Sequence, residues 1–431
     1  MARSISLKKH QAFADEADLL ALAAFDSRLA DLVIQVLASQ GTPLEQPSSN
    51  RYTFLFQHTP TGDDGREPHV HLFLNRLTDK HLFEQGTMRR VPGTSWWVRT
   101  LTIAPTYQGS YGFGVSGDDQ TPTHRNSIHG KESLLRDPQA QRLPLTAQMD
   151  YGLSHFAAVG ASEPKFFAEW PDTQPACLET AELMPGSLRE HNQDLLGCRP
   201  VFLWTPAPEL APANPSSLVI LFDADSWFTR FELHHALDAA VSSGLLPPCA
   251  VVGIGVNSIS DRKKVLGGNV DFIERVLAWA PRWASETLSA EASPISINVQ
   301  APVVLAGQSL GGILALLGAT LFPAAVSSVI AQSPSMWWEP AQHANPGCLG
   351  VRPVDWISER FSVDAPAHSP EVYLAVGARE TPLLPRVALL ALAAQRAGWI
   401  IHSTVEDGGH DYCWWRENLI ELLIRALTNR Q

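Results

Sequence analysis

The chain has 431 residues, 45% of them apolar, and carries Lys+Arg 32 against Asp+Glu 44, a formal net charge of −12. That apolar content fills a core and excludes disorder as the main state, and the length points to two or three domains. The acidic balance excludes a general affinity for nucleic acid or an anionic membrane, so an anionic small molecule would have to find a local basic cluster.

No apolar run reaches the roughly 18 residues that a membrane-spanning helix needs. Near the start, Asp15, Glu16 and Asp18 follow the basic residues where a secretion signal would place an apolar segment. No such signal is read, and the expected compartment is the cytoplasm. Cys177, Cys198, Cys249, Cys348 and Cys413 are odd in number and form no CxxC pair, so they are expected to be reduced, buried, small apolar residues.

Over 17–38, Leu22, Phe25, Leu29, Leu32, Val33 and Val36 have the spacing of one amphipathic helix, which Gly41, Thr42 and Pro43 end. Short β-branched and aromatic runs follow at 52–56, 70–74, 96–103 and 111–115. Turn formers such as those from Thr61 to Gly65, and Pro92-Gly93, separate them. That rhythm predicts a small β-sandwich. His69 and His71 are read as two side chains on one face of a strand, with no third ligand nearby to make a metal site.

Residues 116–200 lack sustained periodicity and carry prolines at 138, 164, 171, 175 and 185, the pattern of a long connection. From about 200, apolar runs at 218–222, 250–256, 302–306, 328–331, 372–376 and 400–405 alternate with helical stretches such as 269–280, 312–321 and 387–397. The alternation predicts an α/β domain, a mainly parallel sheet covered on both faces. The domain reading is a helical segment over 1–45, a β-sandwich over 46–145, a linker over 146–198 and the α/β domain over 199–431.

The most informative stretch is Val304-Leu-Ala-Gly-Gln-Ser-Leu-Gly-Gly-Ile313, in which Gly307, Ser309 and Gly311 form G-x-S-x-G between an apolar strand and an Ala/Leu helix. This is the nucleophile-elbow pattern of α/β-hydrolases: a serine on a sharp, strained strand-to-helix turn whose flanking glycines avoid clashes. A serine hydroxyl needs a base, and the order in this fold is Ser, acid, His. His410, in Asp407-Gly-Gly-His-Asp411, sits just past the last strand and is read as the base. His402, within that strand, and His234 and His235, upstream of the elbow, are read as structural.

The acid is assigned to Glu380, after the strand 372–376. Asp407, only three residues before His410, stays open as the alternative. The oxyanion needs two backbone N–H donors, expected from Leu310 and from the loop after the first strand, at Asp225.

Together these residues resemble the enterochelin (ferric enterobactin) esterase family. The matching pieces are Leu221-Phe-Asp-Ala-Asp-Ser-Trp227, Ala306-Gly-Gln-Ser-Leu-Gly-Gly312, Gln332-Ser-Pro-Ser-Met-Trp-Trp338, Gly377-Ala-Arg-Glu380 and Asp407-Gly-Gly-His-Asp-Tyr-Cys-Trp-Trp-Arg416. Upstream, 98–115 and Leu134-Leu-Arg-Asp-Pro138 look like that family's N-terminal sandwich and the start of its interdomain segment. The resemblance covers most of the chain from about 50 onward.

It implies hydrolysis of the ester bonds of a ferric, cyclic tri-serine lactone bearing catechols, in the cytoplasm, with Ser309, His410 and Glu380 as the triad. No cofactor is implied; iron would arrive only as part of the substrate. Arg262 matches an arginine that the family places near the substrate. With Lys263 and Lys264 it would form the local basic cluster that a trianionic tris-catecholate demands, and guanidinium also stacks on catechol rings.

Trp227, Trp337, Trp338 and Trp414 are the aromatic residues expected to wall the pocket, alongside Trp415. Two positions depart from the family: Ala224 replaces a usual glycine in the oxyanion loop, and Val265 replaces a glutamate near Arg262. Two other readings remain. One is a feruloyl or carbohydrate esterase whose sandwich binds sugar; the other is a siderophore carrier without catalysis.

Overall fold

The computed structural model describes residues 13–59, 68–79, 82–116, 134–146, 153–169, 173–211, 216–340 and 354–428. The turn expected from Thr61 to Gly65, Cys348 and the first twelve residues lie outside them. The chain divides into two compact units. The first takes 1–163, 169–172 and 407–413, and the second takes the rest.

The first unit opens with two helices, α1 (Glu16–Phe25) and α2 (Ser27–Ser39), where the apolar spacing predicts one. Asp26 breaks them: its backbone is extended and its carboxylate caps α2 by accepting from Arg28 and Leu29 N–H. The break shifts the buried stripe to Leu19, Ala23, Ala30, Ile34 and Leu37, leaving Phe25, Leu29, Leu32 and Val36 exposed.

Among the described residues, seven strands follow: β1 (Leu44–Gln46), β2 (Arg51–Gln57), β3 (His69–Leu74), β4 (Arg89–Arg90), β5 (Trp96–Thr102), β6 (Gln108–Ser116) and β7 (Ser154–Ala157). They form a four-stranded sheet, β1-β2-β5-β4, and a three-stranded sheet, β3-β6-β7. All their pairings are antiparallel. Strand β2 is buried on both faces. Tyr52, Phe54 and Phe56 pack with Phe113, Tyr111 and Phe156 of the second sheet, while Leu55 packs with Ile34 and Leu37 of the helices. The expected sandwich thus carries a helical third layer.

The second unit holds β8 (Ser187–Asp194), β9 (Cys198–Thr205), β10 (Ser217–Phe222), β11 (Cys249–Ile254), β12 (Val303–Gln308), β13 (Val326–Gln332), β14 (Glu371–Gly377) and β15 (Ile401–Glu406). Its helices are α3 (Leu233–Ser242), α4 (Ile259–Leu266), α5 (Val270–Ala290), α6 (Leu310–Leu321), α7 (Trp356–Phe361), α8 (Leu384–Arg396) and α9 (Tyr412–Thr428). The sheet runs β15-β14-β13-β12-β10-β11-β9-β8. It is parallel from β15 to β11, while β9 and β8 join antiparallel.

Helix α6 is buried from Leu310 to Ala319, which explains its almost wholly apolar sequence. Strand order reverses between β10 and β12, and the carboxyl ends of these two neighbours frame the crevice where α/β sheets bind ligands. The stretch read as a linker carries a strand for each unit, β7 and β8. No described helix is long and apolar enough to cross a membrane.

Candidate active site

At the carboxyl end of β12 the chain must reverse into α6 within one residue. Ser309 does this at φ 56, ψ −116, a conformation costing roughly 1–3 kcal/mol that only the surroundings can maintain. Its N–H donates to the Gln332 carbonyl at 2.9 Å, and its own carbonyl accepts from Ser335 and Ile313 N–H at 3.0 and 3.2 Å.

Of the two flanking glycines, Gly307 is the stricter: a Cβ there would lie 2.5 Å from the Gly311 carbonyl carbon. A Cβ at Gly311 would approach the Phe222 Cβ at 3.1 Å, tight but less severe. Leu310 is the first residue of α6, so its N–H has no intrahelical acceptor and stands at the positive end of the helix. The Ser309 hydroxyl lies 3.0 Å from that of the buried Ser335.

Next to the elbow, at the end of β10, Asp223 adopts φ 58 and is 2% exposed. Its carboxylate accepts two bonds from Arg262, from Nε at 2.7 Å and Nη2 at 2.8 Å, and one from Gln308 Nε2 at 2.9 Å. Gln308 Oε1 in turn accepts from the Trp227 indole at 3.0 Å. Arg262, Asp223, Gln308 and Trp227 therefore link the turn after β10 to the residue preceding the nucleophile.

Ala224 fits this turn because Gly253 faces it; a Cβ at Gly253 would lie 2.6 Å from the Ala224 Cβ. Asp225 opens the following helical turn. Its carboxyl accepts from Val256 N–H at 3.1 Å, and burial, followed by the nearby Asp223 charge, pushes its pKa up.

Glu380 follows β14 and is 1% exposed. Its Oε1 accepts from Ser333 Oγ at 2.5 Å and from Gly377 N–H at 3.0 Å, while Ser333 Oγ accepts from the Trp415 indole at 3.1 Å. The carboxyl end of β13 is thus a hub within the second unit: Gln332 holds the elbow backbone, and Ser333 next to it holds Glu380. Ser333, Ser335, Asp223 and Gln308 all sit inside or beside the quoted motifs, yet spacing alone gave them no role.

His410 and Asp407 belong to the first unit. Asp407 Oδ2 accepts from Thr106 Oγ1 at 2.6 Å, and its carbonyl accepts from Gln108 N–H at 3.0 Å. These bonds give Asp407 a definite role in shaping the loop.

The remaining candidates divide. Arg262 and Lys263 lie on a helix, α4; Lys263 and Lys264 are exposed, whereas Arg262 is ion-paired with Asp223. Trp337 and Trp338 are half-buried, and the Trp338 indole donates to the Gly267 carbonyl at 2.7 Å, just past the end of α4. Trp227 and Trp414 are 0% and 1% exposed. The expectation that these two wall a ligand pocket is corrected: they have no surface left for a ligand and act in packing.

Among the other histidines, His71 is buried, stacks on Phe83 at 3.9 Å and is lowered to about 4 by burial. His234, stacked on His235 at 4.0 Å, is lowered to about 4 for the same reason. His402 Nε2 lies 3.3 Å from Glu371 Oε2. Cys249 and Cys413 are buried, but Cys198 is exposed, contrary to expectation.

A family model described as a putative esterase matches residues 196–426, and one described as the N-terminal region of enterochelin esterase matches 51–162. The chain is 30% identical over 385 residues to the iron(III) salmochelin esterase of an Escherichia coli O6:H1 strain, covering 88% of each. It is 28% identical over 371 residues to the iron(III) enterobactin esterase of Escherichia coli K12, covering 82% of this chain and 85% of that one. The fold matches that of the Shigella flexneri enterobactin esterase crystallised in the presence of enterobactin, with a TM-score of 0.70 at 22% identity over 88% of this chain and 94% of that one. The Salmonella typhimurium ferric enterobactin esterase gives a TM-score of 0.69 at 22% identity over 90% and 96%. With both models matched in order and a 30% identical relative aligned along 88% of each chain, this chain is a carboxylic-ester hydrolase belonging to the enterochelin esterase family.

Proposed function

We propose that this enzyme hydrolyses the lactone ester bonds of a ferric catecholate siderophore of the enterobactin or salmochelin type, in the cytoplasm, so that iron is released from the opened ligand. The observation that carries the reading is the strained Ser309 at the start of α6, in a chain matching the salmochelin esterase along 88% of each.

Ser309 Oγ attacks the lactone carbonyl while His410 takes its proton. The Leu310 N–H and a donor from the 223–227 turn hold the tetrahedral oxyanion. Collapse breaks the ester bond, and His410 protonates the departing hydroxyl. Water, activated by the same histidine, then cleaves the acyl-enzyme and frees Ser309. Glu380, anchored by Ser333 and Gly377, orients the imidazole and stabilises its charged form. The iron enters and leaves with the ligand, and no resident metal or organic cofactor takes part. Lys263 and Lys264 supply the positive charge that the acidic chain otherwise lacks, and neither nucleic acid nor membrane is a partner.

The test is chromatography of products from ferric and iron-free enterobactin and salmochelin, with wild type and Ser309→Ala side by side. Linear dihydroxybenzoyl-serine products that depend on Ser309 are expected. Intact lactone in every lane, with wild type still cleaving a simple aryl ester, rejects the siderophore reading and leaves an esterase of another substrate.

A further inference from the structure

The loop bearing His410 follows β15, the last strand of the second unit, yet from Asp407 to Cys413 it clusters with the first. Bonds within that unit hold it on both sides of the histidine. On the far side, Asp411 is 2% exposed, and its Oδ2 accepts from both the Ser110 N–H at 2.7 Å and the Ser110 hydroxyl at 2.6 Å. Its Oδ1 accepts from Cys413 N–H at 3.0 Å, capping the first turn of α9. On the near side, Asp407 is tied to Thr106 and Gln108.

Gly409 is pressed against Asn75 and Arg76, so closely that a Cβ would meet Asn75 Oδ1 at 2.1 Å and Arg76 Cγ at 2.3 Å. The Asn75 amide lies 3.5 Å from the His410 carbonyl. Asn75 is itself fixed: its N–H donates to the Ser110 carbonyl at 3.0 Å, and its carbonyl accepts from Tyr107 Oη at 2.5 Å.

We infer that Ser110, Asn75 and Asp411 are positioning residues for His410, so that the sandwich unit sets the orientation of the base. The inference rests on the reading of His410 as that base. A buried carboxylate receiving two bonds from one residue is a charge-assisted latch with a defined geometry. Proton transfer loses rate when the base moves by a fraction of an ångström. Because none of these residues needs to touch substrate, their effect belongs in kcat rather than KM.

The test is a double-mutant cycle on the full chain, reading kcat for ferric enterobactin hydrolysis. Ser110→Ala should lose about tenfold in kcat with KM within about twofold, and Ser110→Thr should recover most of the loss. In a His410→Ala background the same Ser110→Ala change should cost nothing further, since an absent base cannot be misplaced. An equal loss in both backgrounds marks a merely structural role and overturns the inference, as does no loss in either.

Asn75→Ala, which removes the amide beside the His410 carbonyl, serves the same cycle if Ser110→Ala unfolds, as judged by circular dichroism. Should His410→Ala keep wild-type kcat, the base assignment itself falls and takes the inference with it. If His410→Ala is inactive while Ser110→Ala is unchanged, only the inference falls.

Discussion

The elbow around Ser309 and the loop around His410 are held by different means. At the elbow the turn itself is set close in sequence: Gly307 and Gly311 admit the sharp reversal, and α6 starts immediately after it, with Gln332 and Ser335 then bonding the Ser309 backbone. The loop carrying His410 is held by residues remote in sequence, with Ser110 and Asp411 301 positions apart. A turn built from its own neighbours leaves a spacing pattern, whereas a loop held by distant side chains leaves none. The first can be found by inspection, and the second only after the chain has folded.

The largest effect that could break this comparison is on the chemistry itself. Ser309→Ala should lower kcat by about a thousandfold or more while leaving the melting temperature unchanged or higher, since it removes a reacting atom from a strained position. Glu380→Gln should lower kcat by roughly a hundredfold to ten-thousandfold, whereas Asp407→Asn should cost about tenfold at most. The reverse ranking in steady-state kinetics would make the histidine loop supply its own acid.

Smaller effects sharpen the account of the elbow. Gly307→Ala should destabilise by about 2–4 kcal/mol and Gly311→Ala by about 1 kcal/mol in denaturant titrations, because only the first drives a Cβ into backbone. Arg262→Ala should cost about 1–3 kcal/mol of stability by leaving the buried Asp223 short of its cation. A purely ligand-side arginine would raise KM with no change in melting. Lys263→Ala, on the exposed face of α4, should alter stability by no more than about 0.5 kcal/mol.

Arg262 shows what the sequence does and does not carry. The basic triplet is visible, but its partner Asp223 is not, because the ion pair bridges the end of β10 and a helix beyond β11. Trp227 and Trp414 mislead in the same way: aromatic residues inside recognisable motifs suggest a ligand wall, and their burial appears only when the layers close. Likewise, the apolar spacing over 17–38 fits one continuous helix, but Asp26 caps a second and turns the buried stripe to other residues.

What the sequence determined by itself is what short-range patterning records. Runs of β-branched and aromatic residues mark the strands, the alternation with helices marks a parallel sheet, and G-x-S-x-G marks a strained serine whose Gly307 answers to Gly311 four residues on. The motifs together pointed to the right family. The tertiary structure alone decided that Arg262 is engaged by Asp223, that Ser333 and Trp415 hold Glu380, and that the histidine loop belongs with the sandwich. Those outcomes depend on which side chains meet across elements far apart in the chain, and such meetings are fixed by packing and by satisfying buried polar groups.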